Sequence, residues 1–250
     1  MGLLAFPFYS ATRALGRFAF FCTLNVRVLR RDVVRRDGAF VLAVSHLGHV
    51  EPLVLGALLD RPVDWVARAE FYRSRVLGFL FDRLGCIKVR RDGVPVRTVR
   101  TALERLRGGR VVGIFPEGGV ARGRASVCAG GPVRLGACLI AARAGVPLVP
   151  CVVLGTPALT KVGPWLPAKR GHVWLAFGEP IVPPAEIGRT VADRRRTYRR
   201  MGEQYRDAMA GLYRELMATY DLPGDQIGQT YAEPLTAAAA GQRGGEVVPS

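Results

Sequence analysis

The sequence predicts an α/β protein, a single domain on a largely parallel mixed sheet covered by helices. Three observations carry that prediction. Short β-branched apolar runs alternate with longer runs of helical periodicity, the order expected of a βαβ chain. The short runs are apolar nearly throughout, as strands buried on both faces are. At 250 residues with 49% hydrophobic content, the chain is long enough to bury one substantial core without dividing.

Strands are expected at 39–45 (AFVLAVS), 63–68 (VDWVAR), 86–89 (CIKV), 110–115 (RVVGIF), 147–154 (PLVPCVVL) and 172–177 (HVWLAF). Each is too short for an ordinary globular helix and is bounded by turn residues. Helices are expected between them, from Glu51 (EPLVLGALLD), Arg73 (RSRVLGFLFDRLG), Val94 (VPVRTVRTALERLRGG) and Val133 (VRLGACLIAARAG). The last two end at glycines, a common helix C-terminus. A long amphipathic helix follows, with Val191, Tyr198, Met201, Tyr205, Met209, Leu212, Leu216 and Tyr220 on one face and a basic face opposite.

The ends differ from this middle. Residues 1–31 are apolar and arginine-interrupted. Their longest uncharged runs, 1–12 and 18–26, fall short of the roughly 20 residues a spanning helix needs. The basic residues follow the apolar core rather than precede it, unlike a signal peptide. The segment reads as an amphipathic membrane-interface element, with phenylalanines and leucines for the lipid boundary and arginines for anionic headgroups. The pattern alone fits a core-packing helix equally well. The main domain is then 32–222, and 223–250, small and proline-dotted, reads as a disordered tail.

Composition narrows the function classes. Five cysteines, an odd number without C-x-x-C spacing, argue against a disulfide framework and a zinc site; they read as reduced and mostly buried. The formal charge of +16 is carried almost wholly by arginine, so the partners are expected to be anionic. No helix-turn-helix, RNP-type or zinc-finger signature is present, which argues against nucleic acid.

The chemistry concentrates in SHLGHVEPL, residues 45–53, which holds two of the chain's three histidines. It lies where the strand 39–45 ends and a helix begins, the edge of an open α/β sheet where ligands usually sit. His46 and Glu51 are five residues apart, about 140° around a regular helix, so they share no helical face. With His46 in the loop and Glu51 in the first turn, the carboxylate folds back onto the imidazole. A histidine so held is a general base on its other nitrogen. The plainer alternative makes His46 a helix cap, with Glu51 serving the macrodipole; His49 reads as a neighbour that caps or packs. A second stretch, GIFPEGG at 113–119, ends another strand in a proline turn, a glutamate and glycines. Gly118 and Gly119 let the backbone approach a ligand closely.

The ordered set of HLGHVE, GCIKVRR, FPEG and AGVPLVPC resembles the four motif blocks of the 1-acyl-sn-glycerol-3-phosphate acyltransferase family. The likeness covers roughly residues 25–185, including RAEFYRSRVLGFLFDRLG and FGEPI. It implies a glycerol-3-phosphate acyltransferase-like fold and an O-acyltransferase that carries a fatty acyl group from acyl-CoA or acyl carrier protein to the free hydroxyl of a lysophospholipid, first of all 1-acyl-sn-glycerol-3-phosphate. His46 is then the general base and Glu51 its orienting acid. Arg91, Glu117 and Gly118 bind the acceptor, while VPLVP packs near the acyl channel. A backbone amide near the active-site helix stabilises the oxyanion. No acyl-enzyme, cofactor or metal is implied, in keeping with the lack of a G-x-S-x-G elbow at Ser45. The expected place of work is the cytoplasmic face of a bacterial cell membrane, bound peripherally through its anionic surface.

Two departures stand out. Glu51 occupies a position where the family usually has aspartate. The third block reads FPEGGVARGR instead of FPEGTR, so Gly119 and Val120 replace a threonine and the phosphate-binding arginine. Arg122 or Arg124 is expected to supply that charge. Otherwise the acceptor is another lysophospholipid, a glycolipid or a polyol. A catalytically silent module that only binds membrane lipid is the contrasting reading.

Overall fold

A computed structural model of the chain describes residues 24–35, 37–73, 75–89, 96–160, 171–222 and 226–227. Their strands are β1 (Leu24–Leu29), β2 (Phe40–Val44), β3 (Val63–Arg68), β4 (Ile87–Val89), β5 (Val111–Ile114), β6 (Leu148–Leu154) and β7 (Gly171–Phe177). The α-helices are α1 (Glu51–Leu58), α2 (Arg75–Arg83), α3 (Val96–Arg107), α4 (Gly136–Ala144) and α5 (Val191–Thr219). Every expected strand and helix forms in this part of the chain, and β1 is added to them.

The strands make one sheet in the order β1-β7-β6-β2-β5-β3-β4. All pairings are parallel except β6 with β7, so β7 and β1 run against the rest. The sheet is therefore mixed and largely parallel, as predicted. Alternate residues of β2 enter opposite cores. Val41 and Ala43 pack with Ala102 and Leu106 of α3, Ala141 of α4, and Tyr205 and Met209 of α5. Phe40, Leu42 and Val44 pack with Val54 and Leu55 of α1. All five β2 side chains are buried, and full burial of each of the larger ones stabilises by roughly 1.5–3 kcal/mol.

Local chemistry closes the elements. Gly145 caps α4 in the left-handed conformation, φ 66°, as the terminal glycine predicts. Thr190 and Asp193 form a reciprocal capping box at the start of α5. Asp64, wholly buried on β3, is held by Arg110 through two hydrogen bonds of 2.5 Å. A buried carboxylate requires such a fork.

Two assignments at the ends are corrected. Leu24–Leu29, expected within the membrane-interface segment, is a sheet strand paired with β7 from Leu24↔Gly171 to Leu29↔Ala176. Its alternation places Leu24, Val26 and Val28 on the α1-side core, so the domain begins at least at Leu24. At the other end Leu222 and Ile227 are buried and the Ile227 carbonyl accepts from the Gly123 amide. The packed chain thus reaches into the segment expected as a tail. The rest of the interface segment, 1–23, lies outside the described residues. Among those described, no helix is long and apolar enough to cross a membrane.

Candidate active site

Because β2 lies between β5 and β6 in parallel register, the loops leaving all three emerge at the same sheet edge. That edge carries His46, Phe115–Gly118 and Thr156, far apart in the chain but adjacent here. Ser45 leaves β2 with its amide bonded to the Cys151 carbonyl, and its hydroxyl accepts from the Val153 amide at 3.0 Å. The wholly buried Ser45 is therefore a structural bracket.

His46 sits in the loop and Glu51 opens α1, the arrangement the spacing demanded. Glu51 Oε1 accepts from the Leu47 amide (3.0 Å), the Gly48 amide and the Thr156 hydroxyl (2.7 Å). Its Oε2 faces His46 Nδ1 at 3.5 Å. Neither atom has a hydrogen-bond partner among the described residues, and both are buried. Burial alone would raise the Glu51 carboxyl; the facing His46 imidazole and the Thr156 hydroxyl outweigh that and hold it below its ordinary value. The glutamate thus meets the longer reach by dividing its oxygens: one ties down the loop, the other addresses the histidine. This is not the helix-cap alternative, since Val50 is the N-cap and carries no side-chain cap bond.

The imidazole is fixed from its face as well. It stacks on Phe115 with centroids 4.2 Å apart and planes 27° off parallel, and Phe115 stacks on Trp65 at 5.2 Å and 15°. A Cβ at Gly113 would come within 2.5 Å of the Trp65 ring, so glycine at that strand position makes room for the column. Such ring pairs contribute about 0.5–1.5 kcal/mol each. His49 meets His46 edge-on at 6.2 Å. Partial burial, then His46, lowers its pKa.

Glu117 holds the His46 backbone. Its Oε2 accepts from the His46 amide at 2.6 Å, and its Oε1 from the Val127 amide at 2.8 Å and the Ser126 hydroxyl at 3.2 Å. Burial pushes its carboxyl up despite these bonds. The Ala121 amide returns a bond to the His46 carbonyl at 2.8 Å. The third block is thereby zipped onto the first, and Glu117 is occupied with the loop's own donors. The amides of His46, Leu47 and Gly48 are likewise engaged, which leaves an oxyanion donor to be sought elsewhere.

Of the other expected residues, Gly118 lies beside the site with φ 75°. Arg122 is partly buried, and its Nε donates to the Leu47 carbonyl at 3.2 Å. Arg124 is exposed in a 3₁₀ turn. Arg91 lies outside the described residues. Phe115 was visible only as the first residue of the FPEG block, and Trp65, Ser126, Arg134 and Thr156 carried no readable signal of their own. Thr156 follows β6, and nothing in its neighbourhood advertises a partner in the first block. Among the described residues no cluster of three or more His, Cys, Asp or Glu could hold a metal ion.

With this geometry in place, the likeness to known proteins becomes decisive. The family model named Acyltransferase matches residues 25–154, a span that begins in β1, ends with β6 and contains both loops just described. The chain belongs to the acyltransferase family. It is 28% identical over 158 residues to the 1-acyl-sn-glycerol-3-phosphate acyltransferase of Bacillus subtilis (strain 168), covering 63% of this chain and 74% of that one. Its fold matches the crystal structure of the 1-acyl-sn-glycerophosphate (LPA) acyltransferase PlsC from Thermotoga maritima, with a TM-score of 0.57 at 21% identity over 80% of this chain and 78% of that one. The protein is therefore an acyltransferase enzyme, and the reading as a silent lipid-binding module is set aside.

Proposed function

We propose that this acyltransferase moves a fatty acyl group from the thioester of acyl-CoA or acyl carrier protein to the free hydroxyl of a lysophospholipid, 1-acyl-sn-glycerol-3-phosphate foremost, at the cytoplasmic face of the membrane. The observation that carries it is the meeting of two buried, otherwise unpartnered atoms, His46 Nδ1 and Glu51 Oε2. The carboxylate keeps the proton on Nδ1, which leaves Nε2 as the base. Nε2 takes the proton of the acceptor hydroxyl as its oxygen bonds to the thioester carbonyl carbon. The tetrahedral intermediate then collapses, the C–S bond breaks, and the imidazolium returns its proton to the leaving thiolate. The products are an ester and a free thiol, with no covalent enzyme intermediate.

Among the described residues, the candidate nucleophiles favour this direct route. Ser45 is a buried bracket, and burial pushes the thiols of Cys86 and Cys128 up to about 12 and that of Cys138 to about 11; burial raises Cys151 well above its ordinary value too. A thiol so shifted is a poor nucleophile at neutral pH. The relatives' printed names support the acceptor class.

The test is release of free thiol from oleoyl-CoA or palmitoyl-CoA in mixed micelles, offering lysophosphatidate, lysophosphatidylglycerol and a neutral monoacylglycerol in turn. Preference for lysophosphatidate is expected. Turnover only with another acceptor would move the specificity to that acceptor, and none with any would sink the reading.

Peripheral attachment follows from the charge of +16 and the apolar, arginine-bearing stretch ahead of β1. Deleting residues 1–23, which spares β1, is expected to weaken sedimentation with anionic liposomes while the sheet's circular dichroism persists. Unchanged sedimentation would return that stretch to a packing role.

A further inference from the structure

When the tetrahedral intermediate forms, the thioester's carbonyl oxygen becomes negative, and that oxygen needs a hydrogen-bond donor. Three nearby amides are already spent, that of His46 on Glu117 and those of Leu47 and Gly48 on Glu51. We infer that the His49 side chain is the oxyanion donor, bonding the thioester oxygen through a ring N–H while His46 removes the acceptor's proton. This rests on the functional reading above and adds a second catalytic residue to it.

Position is the first argument. The attacking oxygen hydrogen-bonds to the base nitrogen, and the carbonyl oxygen lies two covalent bonds beyond it, so its donor must stand beside the base without touching it. The His46 and His49 ring centroids are 6.2 Å apart with planes at 86°, a separation that suits two rings addressing adjacent atoms of one substrate. Accessibility is the second. From Ser45 to Val50 every residue is buried except His46, partly open, and His49, exposed. A substrate that reaches the base therefore meets His49 and no other side chain of this loop. Among the described residues the His49 ring makes no hydrogen bond, so its N–H is available. Charge is the third. Partial burial, then His46, Arg122 and Arg68, lower the His49 pKa against the opposing pull of Glu51. The ring is thus neutral at neutral pH, and a neutral imidazole donates without repelling the imidazolium that forms on His46.

The experiment measures thiol release from palmitoyl-CoA, with the acceptor that wild type prefers, for wild type, His49→Phe, His49→Ala and His49→Gln. A thermal melt of each preparation accompanies it. Phenylalanine keeps a ring for the edge contact with His46 but has no N–H. That variant should lose about 10²- to 10³-fold in kcat, the effect of removing one oxyanion donor. Its kcat/KM should fall equally, with KM nearly unchanged, because the oxyanion exists only in and after the transition state. Alanine should behave as phenylalanine does. Glutamine, a neutral side chain with an N–H of its own, should recover at least about tenfold of the loss, a rescue that a proton-carrying role does not allow. Near-wild-type turnover by His49→Phe would overturn the inference, return the donor to a backbone amide and leave His49 a packing residue. Glutamine as inactive as phenylalanine would overturn it in favour of a proton relay, and a rise in KM with kcat kept would reduce His49 to a binding contact. His49 is exposed, so all three variants should melt near wild type; should phenylalanine misfold, alanine decides by the same criterion. Wild type that transfers nothing to any acceptor would sink the functional reading and this inference with it, whereas His46-dependent turnover that ignores His49→Phe would sink this inference alone.

Discussion

His46→Ala is expected to lower acyl transfer by about 10²- to 10⁴-fold, the range a positioned general base supplies. The loss should appear in kcat and kcat/KM together, because the proton transfer exists only in the transition state. The fold should survive. The ring's contacts are the Glu51 carboxylate, the Phe115 face and the His49 edge, while the backbone bonds of residue 46 to Glu117 and Ala121 do not depend on its side chain. Some stability is lost, since Glu51 Oε2 remains buried with no partner. An unpaired buried acceptor costs about 1–3 kcal/mol. Thiol release and a thermal melt on the same preparation separate the two effects. A folded alanine variant with near-normal turnover would refute the role of His46.

Glu51→Gln is the second large effect, and it is subtler. The amide oxygen can still accept from the Leu47 and Gly48 amides and the Thr156 hydroxyl, so the loop stays in place. The amide nitrogen, however, then faces Nδ1 and donates to it. Nδ1 becomes the acceptor, the proton moves to Nε2, and the imidazole can no longer take a proton from the acceptor hydroxyl. A loss of roughly 10²- to 10⁴-fold in kcat is expected from the wrong tautomer. A glutamine variant that turns over nearly as wild type would make Glu51 a loop anchor only.

The same substitution has a consequence for acid stability. The Glu51 carboxyl is held below its ordinary value of 4.5 in the folded chain. Between the two values the unfolded chain binds more protons than the folded one, so stability rises with pH there. The contribution is complete above the ordinary value and disappears as pH falls through the lowered one. Glu51→Gln should remove it. The variant's melting temperature should therefore vary less with pH below about 4.5 than that of wild type. An unchanged acid profile would mean that Glu51 does not contribute this linkage.

How much of this was legible beforehand depended on whether the signal was local. The β-branched runs that became β2 to β7 are short, apolar and bounded by turns, and burial on both faces needs no knowledge of partners. β1 was misread because it is an edge strand whose exposed Asn25 and Arg27 dilute its apolar residues, and because it follows an aromatic stretch that resembles a lipid-facing segment. Its identity depends on β7, almost 150 residues away by the Leu24↔Gly171 pairing.

The proposed catalytic pair divides the same way. The sequence by itself determined that His46 and Glu51 bracket a strand-to-helix junction, because their spacing and the flanking periodicity are local facts. Only the tertiary structure decided what surrounds them. Parallel register delivers Phe115 and Glu117 after β5 and Thr156 after β6 to the same edge as His46, and no local pattern encodes which strand ends become neighbours. The cations follow the same rule. Arg122 and Arg124 are near the third block in sequence, yet Arg134 is the one lying on Gly118. The chain turns through 3₁₀ segments between Gly118 and α4, and the bond from the Arg134 amide to Pro116 returns it to where it began.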